Sequence, residues 1–139
     1  MKDYLVLKTE SLGNMRFVEA LSLERNEHLN VSFSEYLDVN EETVAEHDVG
    51  ETMTCDLYIL EADVKESAST ELSYKQPVLH SPQIEAVVEI SEIVDQWTVL
   101  AKSALTSENI IIEFSYPQEF PVGSKIQIVG ELSFGEMMR

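Results

Sequence analysis

The stretch VGETMTC at residues 49–55 returns in outline as VGSKIQI at residues 122–128. Upstream, VSFS at residues 31–34 has a counterpart in IEFS at residues 112–115, and Val6–Leu12 has one in Val88–Val94. Self-similarity along a chain is the signature of a repeated structural unit. The sequence therefore predicts two related β-rich halves of roughly 60 to 75 residues each.

Apolar and polar residues alternate along most of the chain, most clearly over Met53–Ile59 and Ile126–Phe134. A period of two is typical of half-buried strands. Asn40 could cap one short helix over Glu41–Glu46, and Pro117–Pro121 predicts a loop. We expect an all-β protein with at most one or two short helices. Its buried faces should include Phe33, Cys55, Leu57, Ile112, Phe114, Ile126 and Ile128.

The halves are predicted to span residues 1–64 and 83–139. Between them, residues 65–82 contain the small polar run Ser67–Thr70 and two prolines, Pro77 and Pro82, which interrupt a strand ladder. This segment is either a linker or an ordered excursion across the surface, since Leu72 and its apolar neighbours do not suit a free tether.

Each half consists of a long first strand, a return strand, a third strand, a connection and a closing strand that begins with Val-Gly. In the second half these strands are Ile84–Val94, Trp97–Ala101, Ile110–Phe114 and Val122–Leu132. This order resembles the oligonucleotide/oligosaccharide-binding (OB) barrel, a five-stranded Greek-key barrel. The resemblance implies two OB-like barrels packed together. A single eight-stranded barrel or sandwich built from both halves is the alternative.

Charge is the second informative feature. The chain has 26 acidic and 9 basic residues, a formal net charge of −17, and seven acids without a base lie between Glu35 and Glu51. Nucleic acids and anionic membranes favour basic proteins, so neither is an expected partner. A basic protein would be attracted, although an acidic surface can also serve solubility alone.

The sequence contains no recognisable catalytic motif or cofactor-binding motif. Cys55 is the only cysteine, which excludes an internal disulfide and predicts a buried structural thiol. The three histidines are not at metal-ligand spacing from one another; they are His28, His47 and His80. Trp97 follows a predicted turn and is either a core or rim residue of a barrel or an aromatic contact in a binding face.

The segment Asp38–Glu42 begins like a calcium-binding loop. It lacks the glycine and the bidentate glutamate of such loops, where Thr43 and Val49 stand instead. A solvent-facing acidic segment is the simpler interpretation, and no metal site is predicted.

We therefore expect a non-catalytic, cytoplasmic protein-interaction module, such as an inhibitor or immunity-type protein that neutralises a basic partner. The cytoplasmic location follows from the single cysteine and the lack of a signal peptide or a membrane-spanning apolar run. The alternatives are an OB-like nucleic-acid or small-ligand binder and an enzyme with an unrecognised carboxylate site. The residues predicted to contact the partner are Glu35, Asp38, Glu41, Glu42, Glu46, Asp48 and Glu51.

Overall fold

The computed structural model describes residues 1–34, 49–67 and 71–138, and within these ranges it contains nine strands and no helix. The predicted all-β class is confirmed, whereas the predicted helix over Glu41–Glu46 lies outside the described residues. The strands are β1 (Lys2–Leu12), β2 (Met15–Ser22), β3 (Glu27–Ser34), β4 (Thr52–Ser67), β5 (Ser73–Lys75), β6 (Gln83–Ile93), β7 (Thr98–Lys102), β8 (Ile110–Phe114) and β9 (Lys125–Met138).

All nine strands belong to one sheet, in the order β1-β2-β3-β9-β4-β8-β7-β6-β5. Pairings of β1 with β4 and of β6 with β9 close this sheet in a ring that is not a regular barrel. As a result, β1, β2, β3, β9 and β4 form one circuit of hydrogen-bonded neighbours, and β6, β7, β8, β4 and β9 form a second. The two longest strands belong to both circuits.

The alternating apolar side chains fill one core that is shared by both halves. All seven residues predicted to be buried are buried, and none is more than 5% exposed. Twelve of the 26 buried core residues are Val or Ile, whose β-branched side chains pack well on a pleated surface. Burial of the apolar strand faces is therefore the main source of stability.

The two halves repeat one hydrogen-bonding pattern where the closing strand begins. The Gly50 N–H donates to the Val6 carbonyl at 2.8 Å, and the Gly123 N–H donates to the Ile90 carbonyl at 2.8 Å. In return, the N–H groups of Val6 and Ile90 each donate, at 2.9 Å, to the carbonyl of the residue that follows the glycine. The glycines have φ angles of +92° and +91°, which residues with a Cβ rarely adopt. The repeated Val-Gly thus marks the same turn twice.

The strand register aligns β1 with β6 differently from the alignment that the sequence predicted. A β-bulge follows Val6 on β1 and Ile90 on β6, so these two residues are counterparts. The predicted match of Val6–Leu12 with Val88–Val94 is therefore wrong by two residues. A shift of two leaves the alternation of apolar residues unchanged, so the sequence pattern alone could not fix it.

The strands β4 and β9 each serve both halves. After pairing with β1, β4 runs parallel to β8, where Ile59 lies opposite Ile112. After pairing with β6, β9 ends parallel to β3, where Ser133 lies opposite Ser32. In the antiparallel ladder between β4 and β9, Ile59 lies opposite Leu132, its own counterpart in the repeat. An approximate two-fold axis therefore relates the halves, and each half completes its circuit with a strand of the other.

A carboxylate joins the β2–β3 turn to the connection between β7 and β8. Glu24 accepts hydrogen bonds from the Thr106 hydroxyl at 2.9 Å, the Ser107 N–H at 3.0 Å and the Ser107 hydroxyl. Lys2 Nζ lies 3.0 Å from the second carboxylate oxygen. The hydroxyl of Ser107, its N–H and then Lys2 lower the pKa of Glu24 to about 2. The carboxylate is thus held ionised between the two halves.

The segment from residue 71 to 82 contacts both halves: its strand β5 pairs with β6, and its side chains reach β3. The side-chain amide of Gln76 accepts a hydrogen bond from the Asn30 N–H at 2.8 Å and donates to the Asn30 carbonyl at 2.6 Å. Gln76 thereby takes the place of a ladder partner on β3, and Tyr74 donates a hydrogen bond to Glu27 nearby. The division into residues 1–64, 65–82 and 83–139 stays a prediction.

Candidate binding site

The acidic segment predicted to bind a partner lies mostly outside the described residues. This is the case for six of its seven acids: Glu35, Asp38, Glu41, Glu42, Glu46 and Asp48. The seventh, Glu51, is exposed in the turn after Gly50. In chain order, residues 35–48 of the first half correspond to residues 116–121 of the second, because both join the third strand to the Val-Gly turn. The second of these connections is described, and it forms one side of a cleft.

The cleft lies at the end of the second half and has a volume of about 360 Å³. Its floor is formed by the end of β6, the start of β7 and the end of β8. Residues 118–121, in the connection between β8 and the Val-Gly turn, line one side. Its walls are mainly apolar and consist of Ile93, Val99, Phe114, Phe120 and Pro121. Two aromatic rings and three aliphatic side chains give it the lining of a site for an apolar group.

Backbone hydrogen bonds hold both sides of the cleft in place. The β6–β7 turn is closed by the Trp97 N–H, which donates to Asp95 Oδ1 at 2.7 Å. The Gln118 N–H donates to the Gln96 carbonyl at 2.8 Å, which joins this turn to the opposite connection. The Phe114 N–H donates to the Trp97 carbonyl at 2.8 Å. These hydrogen bonds fix the two sides of the cleft relative to each other.

The rim of the cleft is polar and acidic. Asp95, Gln96, Gln118 and Glu119 line it, and no Lys or Arg is among the lining residues. A carboxylate at the edge of an apolar wall favours a cation beside an apolar group. The charge of the rim thus has the same sign as that of the acidic segment.

Exposed apolar side chains are frequent near the β6–β7 turn and near the connection that follows β8. Among the described residues, eleven large apolar side chains are exposed, and five of them lie between residues 93 and 122. These five are Ile93, Val94, Trp97, Tyr116 and Val122. Clusters of exposed apolar side chains mark interaction sites more often than single ones do. Trp97 is 45% exposed and so is not a core residue.

The residues considered for chemistry are not brought together. His28 is exposed, with Nδ1 3.5 Å from Glu19 Oε1, His80 is exposed in a turn, and His47 lies outside the described ranges. Cys55 is buried as predicted, and burial raises the pKa of its thiol. Within residues 1–34, 49–67 and 71–138, no group of three His, Cys, Asp or Glu side chains is arranged to hold a metal ion.

Among the described residues there is no helix long and apolar enough to cross a membrane. Comparisons with protein-family models, with curated proteins and with solved structures found no match.

The cleft is the feature that the sequence did not predict. Its walls come from four separate parts of the chain, and the apolar pair Phe120-Pro121 inside a loop is the one local signal for it.

Proposed function

We propose that this protein is a non-catalytic binding module that recognises a basic protein partner. The observation that supports this most is the excess of acidic side chains. The described residues contain 20 Asp and Glu against 8 Lys and Arg, and residues 35–48 add six acids and no base. An acidic surface of this kind speeds encounter with a basic partner and opposes binding to nucleic acid or to anionic lipid.

The proposed main contact is the acidic segment between Glu35 and Glu51. Seven acids without a base in this segment repel one another, and a positively charged partner would relieve that repulsion. The segment also occupies the position in the repeat at which the second half builds its cleft. Both features favour a recognition role for the connection between third and closing strands.

Charge reversal with a matched control tests this proposal. One variant replaces Glu41, Glu42 and Glu46 with Lys, and the control replaces Glu61, Asp63 and Glu66 with Lys. The control acids are exposed on β4. Both variants change the formal charge from −17 to −11, so only the position of the change differs.

The partner is first captured from the source lysate at low salt, and its association rate is then measured with each protein across a salt series. We expect the segment variant to associate about tenfold more slowly at low salt and the control variant to change by less than about twofold. The difference should shrink at high salt because charges are screened over a few ångströms there. Equal rates for the two variants at low salt would refute a specific role for the segment.

A second candidate function is an OB-like small-ligand binder. Each circuit has five strands, the number in the OB barrel that the sequence resembles, and the cleft lies at the end of one circuit. This candidate predicts that apolar small molecules raise the melting temperature of the protein. If the screen finds no stabilising compound and a basic protein does bind, the small-ligand function is rejected and the first proposal is retained.

A further inference from the structure

We propose that the cleft binds one large apolar side chain of a polypeptide partner that carries Lys or Arg next to it. This inference rests on the proposed function and names the chemistry of the partner at a second surface, which is fully described. The residues that line the cleft lie outside the acidic segment in the sequence, so each surface can be varied without changing the other.

The dimensions of the cleft limit what it can hold. Its volume of about 360 Å³ lies at the low end of the range of small-molecule sites, which is roughly 300 to 1,000 Å³. That space suits a Phe, Trp, Leu or Met side chain with part of its backbone. The rings of Phe114 and Phe120 offer an aromatic guest edge-to-face or stacked contacts.

The charges at the rim select the residues beside the guest. The carboxylates of Asp95 and Glu119 lie among the lining residues, where there is no basic side chain to neutralise them. Asp95 is held in one position because its carboxylate also accepts the Trp97 N–H. A Lys or Arg next to the bound apolar side chain would reach these carboxylates, whereas an Asp or Glu would be repelled.

The sole tryptophan of the chain gives a direct signal for binding. Trp97 is 45% exposed and directly follows the lining residues Asp95 and Gln96, so its fluorescence reports on changes around this turn. The probes are four capped pentapeptides: Lys-Lys-Phe-Lys-Lys, Lys-Lys-Ser-Lys-Lys, Ser-Ser-Phe-Ser-Ser and Glu-Glu-Phe-Glu-Glu. They separate the contribution of the apolar side chain from that of the flanking charge.

We expect a saturable change in Trp97 fluorescence with Lys-Lys-Phe-Lys-Lys. The peptides that lack either the phenylalanine or the positive charge should bind at least about fivefold more weakly, and the acidic peptide should not bind. No saturable response to Lys-Lys-Phe-Lys-Lys up to about 5 mM would overturn the inference. Equal affinity for Ser-Ser-Phe-Ser-Ser would overturn its cationic part.

Two variants and one control locate the binding. Ile93→Ser removes an apolar wall that is itself 48% exposed, and Glu119→Gln removes a rim charge without changing the size of the side chain. Both should weaken binding of Lys-Lys-Phe-Lys-Lys by about threefold or more. Leu79→Ser changes an apolar side chain that is 81% exposed and is not among the residues that line the cleft, so binding should stay as in the unmodified protein. Equal weakening by all three changes, or by none, would place binding elsewhere.

The two functional proposals can fail separately. If the peptide binds as expected but reversal of the acidic segment has no effect on the captured partner, the cleft inference stands and the segment proposal falls. If reversal of the acidic segment slows association but the peptide does not bind, the segment proposal stands and the cleft inference falls.

Discussion

Replacement of Gly50 or Gly123 by Ala should destabilise the protein by nearly equal amounts. Both glycines have φ close to +90° and both donate a 2.8 Å hydrogen bond to a carbonyl of the first strand. A Cβ built on either glycine meets no atom within 4 Å, so steric overlap with the rest of the protein does not contribute. The cost is then the backbone strain of an L-residue in this region, about 1 to 3 kcal/mol.

Urea unfolding followed by far-ultraviolet circular dichroism measures this cost as a loss in the free energy of unfolding. In thermal unfolding, a loss of 1 kcal/mol should lower the melting temperature by about 3 °C for a chain of this size. Gly13→Ala is the control: Gly13 has φ +62° in the β1–β2 turn and also has open space around it, so its strain should lie at the lower end of the range. Values for Gly50 and Gly123 that differ by more than about 1.5 kcal/mol would show that the two turns are not equivalent and would refute the argument from the repeat.

Three further predictions concern the core, the junction of the halves and the thiol. Ile128→Ala should lower the free energy of unfolding by about 2 to 5 kcal/mol, because the side chain is fully buried; a loss below 1 kcal/mol in urea would contradict this. Glu24→Gln should destabilise the protein at pH 7. Because the folded protein lowers the pKa of Glu24 from 4.5 to about 2, the stabilisation is complete above pH 4.5 and is lost as the pH falls toward 2. Unfolding curves at pH 7 and pH 3 should therefore show a smaller difference between wild type and variant at pH 3, and a constant difference would argue against the ionised carboxylate. Cys55 should react with a thiol reagent only at the rate of unfolding, since it is buried and its pKa is raised; rapid labelling of the folded protein would contradict its placement.

The local parts of the fold could be predicted because they depend on neighbouring residues. Alternation identified the faces that bury Cys55 and Ile128, and the repeated Val-Gly pair identified the start of the closing strand, where both glycines have positive φ. The third strands could also be aligned, since the predicted match of residues 31–34 with 112–115 agrees with the register in both halves.

The non-local parts could not be predicted. Pairing of Ile59 with Leu132 joins residues that are far apart in sequence, and β4 would show the same alternation if it paired only within its own half. The cleft was missed for the same reason, since Ile93, Phe114 and Phe120 come together only after the strands have paired. The charge of the chain is the basis of the proposed partner class, but it carried no information on where an apolar group would bind.

The sharing of β4 and β9 limits how the two halves of this protein can diverge. A substitution at Ile59 or Leu132 acts on both circuits at once, because each of these strands is a neighbour in both. In the second half, the connection between the third and closing strands is not part of a strand of either circuit. If the halves arose by duplication, a connection of this kind can change without altering the shared strands. Residues 35–48 contain six acids and no base, whereas the second connection lines an apolar cleft. The shared strands β4 and β9 would keep the two halves alike in architecture, while their connections could acquire different binding properties.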